Sequence, residues 1–366
     1  MGFKMKIGII TPSVSPGGLY RVAIEETKNL SRMGFETKLI SLIKPQNPWV
    51  EKLQEINLKY LTNYKILTPT ISEIANRNLF IFKKISDEFD ILICHNIPSC
   101  FIAYRIRDKN KKIKMIAYIH DPIQFTLTGN LFQLLFRVNY IKKALATKWL
   151  KNFDIILVNS KRSQRILKRE TGLDSEVLYP TTIPSATKTP PIRRSKFFLT
   201  VGRIGEHPTY PLLLEILKKT ENMKLLIAGS WSYTASRIVK LFSQGNIKER
   251  VKFVFNPSDD KLRRLYLHAR GFLYPGVENF NMSALEAASN ACPIICSKES
   301  GIAELFEKYP LLAYSRDINA FVEIVAKLRD DENKAIRYGK IAWHIARKYN
   351  LEYHMRNLIK ILEEIF

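Results

Sequence analysis

Cysteine, histidine and acidic side chains are scarce in this chain, and each shortage excludes something. Only four cysteines occur in 366 residues, Cys94, Cys100, Cys292 and Cys296. They lie in apolar stretches without the spacing or histidine company of a zinc site, which leaves reduced core thiols and no metal ligands. No eighteen apolar residues follow one another, and the opening apolar run stops at Thr11-Pro12. Neither a membrane-spanning helix nor a signal peptide is therefore visible, and a cytoplasmic site is expected. No repeat of fixed period and no low-complexity tract appears, which argues against solenoids and disordered arrays. Asp and Glu number 34 against 58 Lys and Arg, for a net charge of +24. The deficit is shared: residues 1–184 carry 29 basic and 15 acidic side chains, the remainder 29 and 19. Such a field draws polyanions, whether nucleic acid, anionic lipid headgroups or phosphorylated substrates, without choosing among them.

What is present is the balance of a globular protein, 46% hydrophobic and 25% charged, in a chain too long for one ordinary core. Short β-branched runs alternate with amphipathic helical stretches, the pattern of parallel sheets covered by helices on both faces. The class is α/β. In the first half, strands are expected at Lys6–Ile10, Thr37–Leu42, Ile91–His95, Lys114–His120, Asp154–Val158 and Glu176–Tyr179, with a helix over Leu19–Met33 closed by Gly34. Pro180–Lys196, with four prolines, reads as an exposed hinge. A second alternation follows, with strands at Phe197–Val201, Lys224–Ala228, Val251–Phe255, Gly271–Tyr274, Pro293–Cys296 and Leu311–Tyr314. From about Asp331 to Phe366 the chain is almost wholly helical. Two doubly wound, Rossmann-like domains facing across a crevice are expected, 1–184 and 185–346, followed by a terminal segment 347–366.

Ligands of such sheets sit beyond the carboxyl ends of the strands, where four loops carry candidate chemistry. After the first strand, Gly17 and Gly18 precede a helix, and glycines there let backbone N–H groups approach an anion; a tight turn without ligand explains them equally. At Tyr118-Ile119-His120-Asp121-Pro122 a strand ends in a histidine able to donate to a sugar hydroxyl or phosphate, or to serve structure alone. At Val201-Gly202-Arg203 a guanidinium is placed to bind phosphate oxygens and meet the charge on a leaving diphosphate; the alternative is a surface arginine beside Glu206. The fourth runs from Tyr274 to Ala288. A strand ends at Pro275-Gly276, a loop carries Glu278, and a helix opening near Asn281 carries Glu286. Two carboxylates thus bracket a helix N-terminus that can hold a phosphate while they take sugar hydroxyls, or they merely complement the helix dipole.

This arrangement resembles glycosyltransferase family 4, the retaining nucleotide-sugar transferases of the GT-B fold, over most of the chain. Glu278, Phe280, Leu285, Glu286 and Ala287 stand in the places of its Glu, seven residues, Glu hallmark. Ala291-Cys-Pro293-Ile-Ile is similar to its Gly-x-Pro-Val-Ile strand, and Ser300-Gly301-Ile-Ala-Glu304 to its Gly-Gly-x-x-Glu turn. The resemblance implies a catalytic set of Glu278 near the donor sugar, His120, and Arg203 on the diphosphate. It also implies donor binding by Gly17, Gly18, the backbone of Phe280, Asn281 and Met282, and Glu286 on the ribose hydroxyls. It implies a nucleotide-sugar as substrate with no cofactor or metal, retention at the sugar, and a last helix that returns to the first domain. Asp259-Asp260 reads as the opening of a helix after Pro257-Ser258, not as metal ligands.

Three departures carry expectations of their own. Where the family has a lysine-glycine pair five residues after the arginine, this chain has Pro208-Thr209, so the second cation on the diphosphate is missing or comes from elsewhere, with His207, Lys218 or Lys219 as candidates. Asn279, Asn281 and Ala291 replace glycines, which narrows the space for donor. Between Leu131 and Lys151, Arg137, Lys142, Lys143, Lys148 and Lys151 occur without an acid, and Ala103–Lys114 adds six cations against Asp108. A basic helix with Phe, Leu, Tyr and Trp suits an anionic membrane surface bearing a lipid-linked acceptor, or a core helix with a solvated face. Nucleic-acid binding is the rival from another class, but no nucleic-acid module appears and the carboxylate pair has no use there. An inactive GT-B scaffold protein is the other rival.

Overall fold

The computed structural model describes residues 5–13, 18–43, 56–62, 85, 87–108, 110–122, 136–181 and 187–365. They form two compact units, Met1–Tyr179 with Met355–Phe366, and Pro180–His354.

The first unit is built on a seven-stranded sheet: β1 (Lys6–Ser13), β2 (Glu36–Ile43), β3 (Leu58–Thr62), β4 (Ile91–His95), β5 (Lys114–Ile119), β6 (Ile155–Val158) and β7 (Glu176–Val177). Every pairing is parallel, in the order β3-β2-β1-β4-β5-β6-β7. Parallel strands are covered on both faces, so the runs are continuously apolar: Ile91 to Cys94 and Met115 to Ile119 are all fully buried. Helix Gly18–Arg32 packs Val22, Ala23 and Leu30 inward and ends at Gly34, whose φ of 100° only glycine adopts cheaply. Helix Lys161–Thr171 is capped by Ser160, which accepts from the Ser163 N–H at 3.0 Å, and closed by left-handed Gly172.

The second unit has six strands, β8 (Phe197–Val201), β9 (Lys224–Gly229), β10 (Val251–Phe255), β11 (Gly271–Tyr274), β12 (Ile294–Ser297) and β13 (Leu312–Ala313). Their order is β10-β9-β8-β11-β12-β13, again parallel. In both sheets the first strand lies in the middle and the order reverses beside it, between β1 and β4 and between β8 and β11. Those are the switch points where open α/β sheets bind ligands. Gly229 brings β9 against β8 so closely that a Cβ on it would lie 1.6 Å from the Gly202 carbonyl oxygen.

The α/β class and the doubly wound sheets are as expected, with two corrections. β3 was not anticipated: Leu58–Thr62 is a lone five-residue edge strand amid polar residues. The segment read as an exposed hinge is exposed over much of its described part, 180–181 and 187–196, but is anchored at Thr187 and Arg194. Arg194, 6% exposed, donates to the carbonyls of Leu267, Ala269 and Ala291. The Thr187 N–H donates to the Ser289 carbonyl, and the Trp343 indole to the Thr187 carbonyl at 3.1 Å. A buried guanidinium needs several acceptors, and the ends of two helices, Asp259–His268 and Met282–Ser289, supply them.

Candidate active site

In the second unit the chemistry gathers around one loop. β11 ends at Tyr274, and Gly276 follows with its N–H donating to Thr209 Oγ1 at 3.0 Å. A Cβ on Gly276 would stand 2.0 Å from that oxygen, so the position admits only glycine. The loop backbone is clamped by the turn at Ser300. The Glu278 N–H donates to Ser300 Oγ at 3.0 Å, the Gly301 N–H to the Glu278 carbonyl at 3.1 Å, and the Ile302 N–H to the Phe280 carbonyl at 2.7 Å. The carboxylate this presents is 34% exposed. Its Oε1 accepts from the Tyr274 hydroxyl and lies 3.4 Å from His207 Nε2. Burial, and then the charge of Glu278, push the Tyr274 phenol far above its ordinary range, so it acts here as a donor.

Three residues on, Asn281 caps helix Met282–Ser289, its Oδ1 accepting from the Ala284 N–H at 3.0 Å. It does so with φ 81°, a left-handed backbone that asparagine tolerates better than most residues. Asn281 is 8% exposed and its Nδ2 is buried without a hydrogen-bond partner. The N–H groups of Met282 and Ser283 have no intrahelical acceptor either, because they open the helix. A buried amide donor and a helix N-terminus therefore lie side by side, both favouring an anion. Glu286 follows on the same helix, half-buried, with Oε2 accepting from the Tyr266 hydroxyl at 3.1 Å. Phe280 is 2% exposed and wedges the loop against the core. Ala291 also keeps a glycine-like backbone, φ 57°, but its side chain is fully buried. Its methyl packs in the interior.

Arg203 follows β8, the strand beside β11, and its carbonyl accepts from the Tyr210 hydroxyl at 2.9 Å. It does not pair with Glu206, which is engaged by Arg237. Among the described residues the exposed Arg203 guanidinium has no ion-pair partner. Of the residues considered for a second cation, His207 alone stands beside Glu278. Lys218 and Lys219 end the helix Thr209–Lys219, about 15 Å of helix away from its start, and Lys219 bonds Asn319.

The first unit holds a second constellation. His120, just past β5, has its N–H on Asn96 Oδ1 at 2.8 Å and its carbonyl on Asn159 Nδ2 at 2.9 Å. Its Nε2 is 2.9 Å from His95 Nδ1, and His95 Nε2 is 2.9 Å from Glu26 Oε2. The His95 and Glu26 side chains are completely buried. Gly18 opens the helix that carries Glu26; Gly17 lies outside the described residues. The charged helix shows described residues Ala146, Trp149 and Leu150 in the core, Trp149 lying 4.8 Å from Phe101, while Lys148 and Lys151 are exposed. Residues 131–135 lie outside the description. Asp259 opens helix Asp259–His268 behind its cap Ser258, and the four cysteines are buried free thiols. No helix among the described residues is long and apolar enough to cross a membrane.

Sequence reasoning gave no site role to Glu26, His95, Tyr274, Thr209 or Ser300, although the last three lie in segments it singled out. The signals were position, since His95 and Tyr274 each end a strand beside a switch point, and the acid at Glu26 on the buried face of its helix.

A Glycosyltransferase Family 4 profile matches residues 16–181, and a glycosyl transferases group 1 profile matches residues 185–344. The human alpha-1,3/1,6-mannosyltransferase ALG2 is 24% identical over 262 residues, which is 62% of this chain and 61% of that protein, under two thirds of its length. Sucrose-phosphate synthase from Thermosynechococcus elongatus superposes with a TM-score of 0.84 over 99% of both chains at 17% identity. Anabaena Alr3699/HepE, solved in complex with UDP and glucose, gives 0.78 over 98% of this chain and 100% of that one at 15% identity.

Proposed function

The chain belongs to glycosyltransferase family 4 and has the GT-B fold, and from that premise we propose that it moves a sugar from a nucleotide-sugar donor to an acceptor, with retention and without a metal ion. The observation that carries this reading is the N-terminus of helix Met282–Ser289. There a buried, unpartnered Asn281 Nδ2 and free backbone N–H groups are flanked by Glu278 and Glu286. An anion satisfies the orphan donors, and the carboxylates take hydroxyls on either side of it, which is the pattern of a diphosphate between ribose and sugar. Arg203 adds positive charge and His207 an imidazole N–H, so negative charge building on the leaving diphosphate meets a guanidinium, an imidazole and oriented N–H dipoles. Glu278, held by Tyr274 and the Ser300 turn, lies where positive charge on the sugar ring is stabilised.

The acceptor proposed is a glycan carried on a lipid at an anionic surface. Exposed Lys111, Lys112, Lys148, Lys151, Lys161 and Arg165 in the first unit support it, since each basic side chain near such a surface contributes about 1 kcal/mol. Flotation with liposomes, with and without anionic lipid, tests this part, and binding that ignores both lipid charge and salt refutes it.

The whole reading is tested by nucleoside diphosphate release from UDP-, GDP- and ADP-sugars, with and without lipid extract, for wild type and Glu278→Gln. Release from one donor, raised by lipid and lost in the variant, is expected. No release and no donor binding across the panel overturns it.

A further inference from the structure

The donor loop lies at the carboxyl ends of the strands of the second sheet. At the opposite, amino-terminal edge of the same sheet a pocket of about 280 Å³ opens between three helices. Helix Thr209–Lys219 runs from the loop after β8 back to the start of β9, helix Ala235–Leu241 follows β9, and the short helix Ile247–Arg250 leads into β10. Leu214 and Lys218 stand one turn apart on the first of these, Leu241 ends the second, and Ile247 and Arg250 bound the third. About 15 Å of helix separates this pocket from Thr209 and the donor loop, and nothing in the scheme above uses it.

Its lining joins apolar surface to unanswered positive charge. Leu214, Leu241 and Ile247 supply the first, Lys218 and Arg250 the second, and no carboxylate lines the pocket. Glu215 and Glu249, the acids nearest in sequence, are exposed and outside the lining. Part of the charge serves the fold. Arg250 Nη1 donates to the carbonyls of Leu217 and Thr220, at 3.0 and 2.9 Å, and so closes the last turn of helix Thr209–Lys219. A helix end carries only about −0.5 of a charge, which one guanidinium more than covers, so exposed Lys218 is surplus. The guanidinium itself is half used. It has several N–H donors, but both bonds come from Nη1, Nε is buried without a partner, and no acceptor among the described residues takes Nη2. Nε and Nη2 form one side of the fork, the kind that meets two oxygens of a phosphate or carboxylate at once.

We propose that this pocket is a second binding site, for a phosphate monoester of a short apolar group, with Arg250 and Lys218 on the phosphate and the two leucines and Ile247 on the apolar part. A phosphate monoester carries close to two negative charges at neutral pH, which matches two cations, where a carboxylate offers one. The volume lies at the small end of ligand clefts, roughly 300–1,000 Å³. A whole nucleotide-sugar is therefore too large for it, and a bare ion leaves the leucines uncovered. A free ester and the headgroup of phosphatidic acid offer the same chemistry, and the experiment separates the two.

The experiment is methyl NMR of the full chain, titrated with hexyl phosphate, inorganic phosphate, hexanol and vesicles containing phosphatidic acid. Hexyl phosphate at millimolar concentration should shift the Leu214, Leu241 and Ile247 methyls together and to saturation. Inorganic phosphate should do so more weakly and hexanol not at all. The signals are local, so an anion at the donor loop is not mistaken for one here. Lys218→Glu, at an exposed position, should weaken hexyl phosphate about tenfold or more, the loss of a charge-assisted hydrogen bond. Leu214→Trp, which fills the space, should abolish the shifts at Leu241 and Ile247. Arg250 is left in place because it also closes a helix. Shifts with hexyl phosphate alone identify a free ester as the ligand, and shifts with the vesicles as well identify a lipid headgroup; either upholds the site. No saturating shift with the ester or the vesicles overturns it. So does hexanol binding as tightly as the ester, or an unchanged affinity in Lys218→Glu protein that melts like wild type. No nucleotide is present, so each of these results stands apart from the glycosyltransferase reading.

Discussion

Replacing Asn281 by aspartate sets stability against binding. The cap is kept, because aspartate serves as N-cap about as well as asparagine and tolerates the φ of 81°. The buried Nδ2 that has no partner disappears, and with it part of a penalty of about 1–3 kcal/mol for an unsatisfied donor. Against that stands the desolvation of a carboxylate only 8% exposed, itself offset by about 0.3–1 kcal/mol from the helix N-terminus. The free protein should stay within about 1 kcal/mol of wild type by these opposing effects. Donor binding behaves otherwise. Losing a hydrogen bond to a charged group removes about 1.5–3 kcal/mol, roughly 10- to 150-fold in Kd. The new negative charge near the diphosphate adds up to about 4 kcal/mol of repulsion at roughly 4 Å. Calorimetry with UDP and GDP should show Asn281→Asp weakened at least about 100-fold, and Asn281→Gly, which suits the backbone but removes the donor together with the Oδ1 cap on the Ala284 N–H, about 10-fold. A Kd for Asn281→Asp within threefold of wild type, in protein that melts normally, would refute the placement of the anion.

Three further outcomes follow from the same contacts. His207→Ala should weaken nucleotide-sugar affinity by several-fold, about one hydrogen bond to a charged group; an unchanged Kd in titration calorimetry removes His207 from the diphosphate. Gly229→Ala must push its Cβ out of the Gly202 carbonyl. We expect a loss of about 3 kcal/mol or more, lowering Tm by roughly 6–12 °C, whereas Gly172→Ala, left-handed but in open space, should lose only about 1 kcal/mol. Asp154 is partly buried, which acts to raise its pKa. The Arg107 guanidinium and the Met115 N–H outweigh that and hold the carboxyl below the usual 3.8. Its contribution is complete above about pH 4 and is lost as pH falls through the depressed value. Urea melts of wild type and Asp154→Asn should differ by about 1 kcal/mol at pH 6 and converge toward pH 2.

The sheets were legible because parallel strands buried on both faces must be written as unbroken apolar runs. ILICH, KMIAYI and GFLY stand out against the charged helices beside them, and the observed strands start and stop within a few residues of expectation. β3 failed this test because an edge strand needs only one buried neighbour, and LKYLT carries too little apolar signal. The prolines of 180–196 were read for what they forbid, helix, and that much holds for the described part. What they could not reveal is that Arg194, a charged residue expected at the surface, is the anchor. Burial of arginine depends on carbonyls at Leu267, Ala269 and Ala291, up to 97 residues away, and no local pattern announces them.

The candidate site divides in the same way, between what lies along the chain and what lies across it. Glu278, Asn281 and Glu286 fall within nine consecutive residues, so their spacing around a helix start is legible along the chain itself. Their supports come from elsewhere: Tyr274 from the preceding strand, His207 and Thr209 from the loop after β8, Ser300 from the turn after β12. A carboxylate can be predicted from its own sequence neighbourhood, but its orientation depends on residues up to 71 positions away, and orientation decides whether it meets a sugar ring or solvent. The same holds more strongly for Glu26 and His95, 69 residues apart. Glu26 sits on the buried face of an ordinary amphipathic helix, where a carboxylate looks like an error in the pattern. That mismatch was the one local sign of it. An acid on the apolar face of a helix is costly unless something answers its charge, and the strand ends nearest in the sheet order are the place to look for the partner.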